Sequence, residues 1–205
     1  MADPFWNKFL HLQEKPVRGC LKGRVFRNIA PYLMMMETYP QDLPQFLTST
    51  INDWKHLLKE SKYKDIVVNC LKYLVDTQQI RLNAFVIMDN HFHLIWQATC
   101  GHLLTHIETN FLKITASKFK LELSKSGEIS KFRVPAPDRK YNFWKRDSLG
   151  IELFTPAVFR QKLNYIHNNP LRAGLCDHPA HYHYSSALFY EKGIDHFKMI
   201  EHYNS

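Results

Sequence analysis

The stretch NAFVIMDNHFHLIWQ, residues 83–97, constrains the fold more than any other part of the chain. Apolar residues run up to Asp89-Asn90, a pair suited to a tight turn, and resume at His91. Taken with the residues just before it, the stretch predicts two strands, IRLNAFVIM and HFHLIWQ, paired as a hairpin. Strand side chains alternate, so Phe92, Leu94 and Trp96 share one face while His91, His93, Ile95 and Gln97 share the other. The first face anchors the strand in a core. The second sets two imidazoles a residue pair apart, near enough to bind one cation.

His-x-His alone does not fix that reading. The chain has 12 histidines, and HYHY repeats the spacing at His181 and His183, which read as non-ligands in a Pro-flanked tail. Such a pair also fits a polar surface or hydrogen-bonded imidazoles in a core.

The hairpin sits in a recognisable order of elements. YKDIVVNCLKYLVDTQQ places Ile66, Val67, Cys70, Leu71, Leu74 and Val75 at helical spacing, and a second helix carries Leu104, Ile107, Phe111 and Ile114 on one stripe with Lys113 and Lys120 off it. YLMMMETY, residues 32–39, reads as a first strand, although its methionines leave its length open. A strand or extended piece around YNFWKRDSLGIELF then leads into a third helix, PAVFRQKLNYIHNN, with Phe159, Leu163 and Ile166 as its buried stripe. The expected fold is α+β: a ferredoxin-like β-α-β-β-α-β antiparallel sheet with helices on one face, plus a C-terminal helix carrying Tyr165. Residues 1–30 read as a basic arm, 31–178 as the single domain and 179–205 as a C-terminal extension. That fold hosts many functions, so function has to come from the site.

Charge narrows the partners. The net charge is +8, and ten Lys or Arg fall between Lys113 and Arg146 against only Glu122, Glu128 and Asp138. That concentration favours a polyanion, and the expected backbone contacts are Lys113, Lys118, Lys120, Arg133, Arg139, Lys140, Lys145 and Arg146, joined by the N-terminal arm. Trp144, flanked by Lys145 and Arg146, is the candidate for stacking on a base, with partial burial as its alternative; Trp96 reads as core. The four cysteines are far apart with no Cys-x-x-Cys, which argues against a zinc ribbon and fits reduced thiols. No signal-like N-terminus and no run of about 18 apolar residues is present, so a cytoplasmic protein with no membrane partner is expected.

The third helix supplies further candidates. In QKLNYIHNNPLRAGL, Tyr165 and Asn169 are four apart and therefore stacked on one helix face. Tyr165 lies about 100° around the helix from Ile166, away from the buried stripe. Asn169 precedes Pro170, which places it at a helix end, either as a polar site group or as a cap for a short following turn closed by Gly174. His167 lies about 200° from Tyr165 and reads as surface or structural rather than as a base. Asn90 reads as a turn residue.

VIMDNHFHLIW together with KLNYIHNNPLRAGL resembles the REP-associated tyrosine transposases, single-tyrosine members of the HUH nuclease superfamily, named for His-hydrophobic-His. YSSALFY, residues 184–190, is similar to the tail segment of that family, and the likeness spans roughly residues 30–190. The resemblance implies that His91 and His93 bind Mg²⁺ or Mn²⁺, that Tyr165 is the nucleophile, and that Asn169 falls where relatives place a polar third ligand, a glutamine in some of them. It also implies single-stranded or hairpin DNA as partner, DNA transposition or recombination as the process, and a monomer or a homodimer.

Those residue types suit that chemistry. A phenol is a weak nucleophile at neutral pH until a cation or base assists it, and a divalent ion can offset the charge that develops on a phosphate. Attack by tyrosine keeps a phosphodiester as a phosphodiester, so the strand can be rejoined without ATP. Two rivals stand beside this reading: a catalytically silent single-stranded nucleic-acid-binding module of the same fold, and a zinc hydrolase using His91 and His93 with a carboxylate, of which Asp89 is the nearest in sequence.

Overall fold

A computed structural model of the chain describes residues 43–99, 101–146 and 148–203. The basic arm at 1–30 and the expected strand at 32–39 lie outside these residues. Within them, strand β1 (Gln45–Thr50) is followed by helix α1 (Ser61–Asp76), the hairpin strands β2 (Ile80–Ile87) and β3 (His91–Ala98), and helix α2 (Leu104–Lys125). A small hairpin of β4 (Arg133–Ala136) and β5 (Arg139–Tyr141) precedes strand β6 (Leu149–Glu152), helix α3 (Pro156–Arg172) and the short helix α4 (Ala187–Lys192).

The main sheet is antiparallel in the order β2-β3-β1-β6, so the β-α-β-β-α-β core is ferredoxin-like, with the small hairpin inserted between α2 and β6. Its first strand, QFLTST, was hidden in the sequence because Thr48, Ser49 and Thr50 break the apolar alternation. β-branched threonine nevertheless suits a strand, and pairing with both β3 and β6 holds it at the sheet centre.

Each face of the sheet has its own core. On one face Leu47, Leu82, Phe85, Phe92, Leu94 and Trp96 pack with Val67 and Leu71 of α1 and Phe111 and Phe119 of α2. On the other, Phe46, Ala84, Val86 and Ile95 pack with Phe159 and Ile166 of α3. β3 keeps the expected alternation throughout. β2 does not: a bulge between Leu82 and Ala84 inverts its parity, so that Leu82 and Phe85 face the same core. Asn83, the residue at that break, donates through its amide to the carbonyl of Glu201, while the Tyr190 hydroxyl donates to the carbonyl of Asn83. The tail thus covers the outer edge of β2, where the amide of Ile87 donates to Tyr184 and that of Ser186 to Phe85.

Of the basic residues, Lys113, Lys118 and Lys120 ride on α2, and Arg133, Arg139 and Lys140 on the β4–β5 hairpin. One local expectation is corrected: Asn169 does not end a helix, because α3 runs through Pro170 to Arg172. Proline there forfeits one amide donor, yet Ala173 still donates to the carbonyl of Asn169, and the real terminus is closed by Gly174 at φ 68°.

One buried cation ties three elements together. Lys64 of α1 donates to Asp89 in the β2–β3 turn and to the Tyr182 hydroxyl in the tail, each at 2.9 Å. Tyr182 in turn donates to the carbonyl of Ile87. Lys64→Met should therefore strand the Asp89 carboxylate and lower stability by about 3 kcal/mol, as expected when one partner of a buried pair is removed. Urea unfolding checks this, and a change below about 1 kcal/mol would mean that the pair is solvated.

Candidate metal and tyrosine site

The histidine face of β3 meets α3 over β1. Thr48 of β1 lies opposite His93 in the strand register, and its Oγ1 is 2.7 Å from His93 Nδ1. Asn90 Oδ1 is 2.7 Å from His91 Nδ1. With both Nδ1–H groups donating to these oxygens, each ring is fixed in the tautomer that leaves the lone pair on Nε2. The two rings stand 4.8 Å apart, centroid to centroid.

From the other side come Tyr165 and Asn169. The Tyr165 ring lies edge-on to His93 at 5.1 Å and to Phe46 at 6.0 Å, and Phe46 stacks on His93 at 5.4 Å. Asn169 Nδ2 is 3.1 Å from His93 Nε2, with His91 beside it. Thus His93 and its neighbour His91 meet Tyr165 and Asn169, the last 76 positions beyond His93, in one place. Tyr165 keeps 40% of its surface in solvent while His93 keeps only 4%. A substrate can therefore reach the phenol with the imidazoles held beneath it.

Burial sets the protonation. Desolvation lowers His91, with its hydrogen bond to Asn169 opposing the shift. Desolvation, then the neighbouring His91 and Lys162, lowers His93 to about 3. Neutral imidazoles are the form able to ligate a metal, and rotating the Asn169 amide end for end would withdraw its NH2 from His93 Nε2 and add its oxygen. Two imidazole nitrogens and an amide oxygen fit a divalent cation, with Mn²⁺ better suited to the nitrogens than Mg²⁺. Among the described residues no group of three or more His, Cys, Asp or Glu is gathered, so a cation here would complete its shell from water or a phosphate oxygen.

Three contributors were missed in the sequence. Phe46 and Thr48 belong to the strand that was not recognised. Lys162, one helical turn before Tyr165, brings its ammonium within 4.6 Å of the Phe46 ring centroid and 6.0 Å of that of Tyr165. The signal for Lys162 was present as i, i+3 spacing from Tyr165. His167 is structural: its Nε2 lies 2.9 Å from Ser186 Oγ, its ring packs on Tyr190, and burial lowers it to about 4.

These imidazoles make stability fall with acid. The unfolded chain takes up their protons near pH 6.5, whereas the fold admits them only near 4 at His167 and near 3 at His93. The folded pKa values are depressed, so the stabilisation is complete above about pH 6.5 and drains away as pH falls toward 3. Urea midpoints should stay level from pH 7.5 to about 6.5 and decline steadily from there to 4.5, and His167→Gln should flatten part of that slope. A midpoint independent of pH across this range would contradict the burial of both rings.

The expected DNA contacts divide. Lys113, Lys120, Arg133, Lys140, Lys145 and Arg146 are exposed, and Lys118 and Arg139 half-buried. Arg139 and Arg146 both bind the Asp138 carboxylate, at 2.6 and 3.1 Å, which reduces what they can offer a phosphate. Trp144 is corrected outright. It is 6% exposed, packs against Phe92 and Phe119, and donates from Nε1 to Thr115 Oγ1 at 2.9 Å. Phe143 and Trp144 are both buried in the same core, leaving the indole no face for a base.

No family model and no curated protein matches the sequence. Among solved structures, a candidate transposase from Deinococcus radiodurans R1 aligns with 64% of this chain and 93% of its own at 18% identity, with a TM-score of 0.42, too loose a superposition to bear on the fold. A REP-associated tyrosine transposase bound to a REP hairpin aligns with 82% of this chain and 96% of its own at 15% identity, with a TM-score of 0.56. The likeness at that identity is one of architecture: this chain has the fold seen in a REP-associated tyrosine transposase.

Proposed function

We propose that the protein is a metal-dependent single-strand DNA endonuclease and strand transferase of the transposase kind, acting on hairpin-forming DNA through Tyr165. One observation carries this reading: the exposed Tyr165 ring lies 5.1 Å from His93, on the same helix face as an Asn169 amide 3.1 Å from His93 Nε2. The hairpin bound by the structural neighbour supports the choice of substrate.

His91 and His93, with Asn169 as a third donor, would hold Mn²⁺ or Mg²⁺. When bound, the cation would polarise a non-bridging phosphate oxygen and offset charge developing on it. Thr48 and Asn90 keep the imidazole tautomers that leave Nε2 free. Phe46 and His93 flank the tyrosine ring and limit its freedom. Tyr165 Oη attacks phosphorus, its proton passing to solvent; the P–O3′ bond breaks and the 3′ oxygen is protonated. The products are a 5′-phosphotyrosine and a free 3′-hydroxyl, which can reverse the step on the same strand or exchange it for another. Lys162 adds positive charge beside the phenol, where oxyanion character grows.

The zinc-hydrolase alternative loses its carboxylate, since Asp89 is engaged with Lys64 at 2.9 Å. End-labelled hairpin DNA with single-stranded flanks, incubated with the protein and Mn²⁺, should yield a covalent adduct on a denaturing gel that disappears with chelator. Tight binding without any adduct, across varied hairpin sequences, would instead indicate the silent binding module.

A further inference from the structure

Beside the histidine pair, and outside it, stands an aromatic side chain that the proposed chemistry does not use. Trp54 follows β1 in the turn Asn52–Trp54 and leaves 58% of its surface in solvent. A single exposed tryptophan needs no explanation, but this one is held at a cost. Asp53 and Trp54 both have φ of 56°, a left-handed conformation that bulky side chains rarely adopt even singly. The strained turn is fastened from both sides: Trp54 N donates to Ile51 O at 3.0 Å, and Asn52 N to Phe143 O at 2.7 Å. Burial cannot explain the strain, because the ring is not buried.

Two neighbours say what the exposed ring faces. Lys145, exposed, places its ammonium 5.9 Å from the indole centroid. Asn90, whose oxygen is 2.7 Å from His91 Nδ1, extends its amide nitrogen to the carbonyl of Trp54 at 3.4 Å. One side-chain amide therefore bridges the aromatic turn and the histidine pair. A flat apolar surface beside an exposed cation, joined through Asn90 to a site proposed for phosphodiester chemistry, matches what a nucleobase with its phosphate requires.

We propose that Trp54 is a stacking platform for an unpaired base of single-stranded DNA, with Lys145 contacting the adjoining phosphate. Resting on the nuclease reading above, it assigns the grip on the strand next to the cut to this turn rather than to Trp144. Asn90 acts as a positioning residue, coupling the platform to His91. Stacking is tolerant of base identity, so the platform supplies affinity and register without sequence specificity.

The test compares two fluorescein-labelled probes on the full chain without divalent metal, at 50 mM salt: dT12 and a 12-nucleotide abasic backbone carrying the same phosphates. The wild type should bind dT12 about 10-fold tighter than the abasic strand. Trp54→Ala should bind both alike, Trp54→Tyr should restore most of the preference, and Lys145→Ala should weaken both probes to a similar extent. Equal binding of the two probes by the wild type, or a full preference retained in Trp54→Ala, would overturn the platform. The same preparations are then given hairpin DNA and Mn²⁺. An adduct without base preference sinks the platform and spares the nuclease; a Trp54-dependent preference without any adduct does the reverse.

Discussion

Tyr165→Phe should abolish the covalent adduct, lowering its rate of formation by about 10⁴-fold or more, the scale typical of removing a nucleophile. Dissociation constants for hairpin DNA should change by no more than about 3-fold. The geometry separates the two effects. The aromatic ring, not the hydroxyl, makes the edge-on contacts with His93 and Phe46, so phenylalanine preserves the packing that orients this face of α3. Because 40% of Tyr165 is in solvent, the substitution also costs little stability. Single-turnover assays with Mn²⁺ would measure the rate, and anisotropy the binding. Cutting by the phenylalanine variant at the wild-type rate would mean that water is the nucleophile and that the proposed chemistry is wrong.

His93→Ala should be the most damaging change on the metal side, reducing adduct formation by about 10³-fold, since it removes a ligand that would help offset several kcal/mol of developing charge. It should also destabilise the fold. His93 is 4% exposed, stacks on Phe46 and is hydrogen-bonded to Thr48, so truncation opens a cavity and strands a hydroxyl. His91→Ala provides the comparison. That ring is only half-buried, and its loss should cost a similar factor in activity with a smaller drop in melting temperature. If both variants retained the Mn²⁺-dependent adduct, these imidazoles would not be ligands and their neutrality would be a matter of packing alone.

How far these residues could be read in advance follows from how local their signals are. The alternation in HFHLIWQ is a property of one strand, and the structure keeps it: Phe92, Leu94 and Trp96 face the α1–α2 core, while Ile95 lies with α3 on the histidine side. Tyr165 and Asn169 stack because helix pitch dictates it, and that too is local. Pro170 misled, because a proline forbids one hydrogen bond and crowds the preceding turn without always ending a helix in a packed setting. β1 was missed because the partner of Thr48 is distant in sequence: His93, 45 positions later. The setting of Trp144 follows a related rule. Flanking charges suggested an exposed ring, but Phe92, Phe119 and Thr115 on other elements decide its burial. Nothing local predicts that Trp54 should occupy a left-handed turn; that depends on Ile51, Phe143 and Asn90 closing around it.

The central claim concerns one oxygen atom, and peptide mapping addresses it directly. After Mn²⁺-dependent reaction with a hairpin oligonucleotide, nuclease trimming and trypsin digestion, the peptide LNYIHNNPLR, released after Lys162 and ending at Arg172, should carry the residual nucleotide mass. Tyr165 is the single tyrosine in that peptide, so fragmentation places the added phosphate without ambiguity. A nucleotide found on Tyr165 and released as a 5′-phosphate is the predicted result. A nucleotide on any other residue, or adducts equally abundant in Tyr165→Phe, would contradict the account.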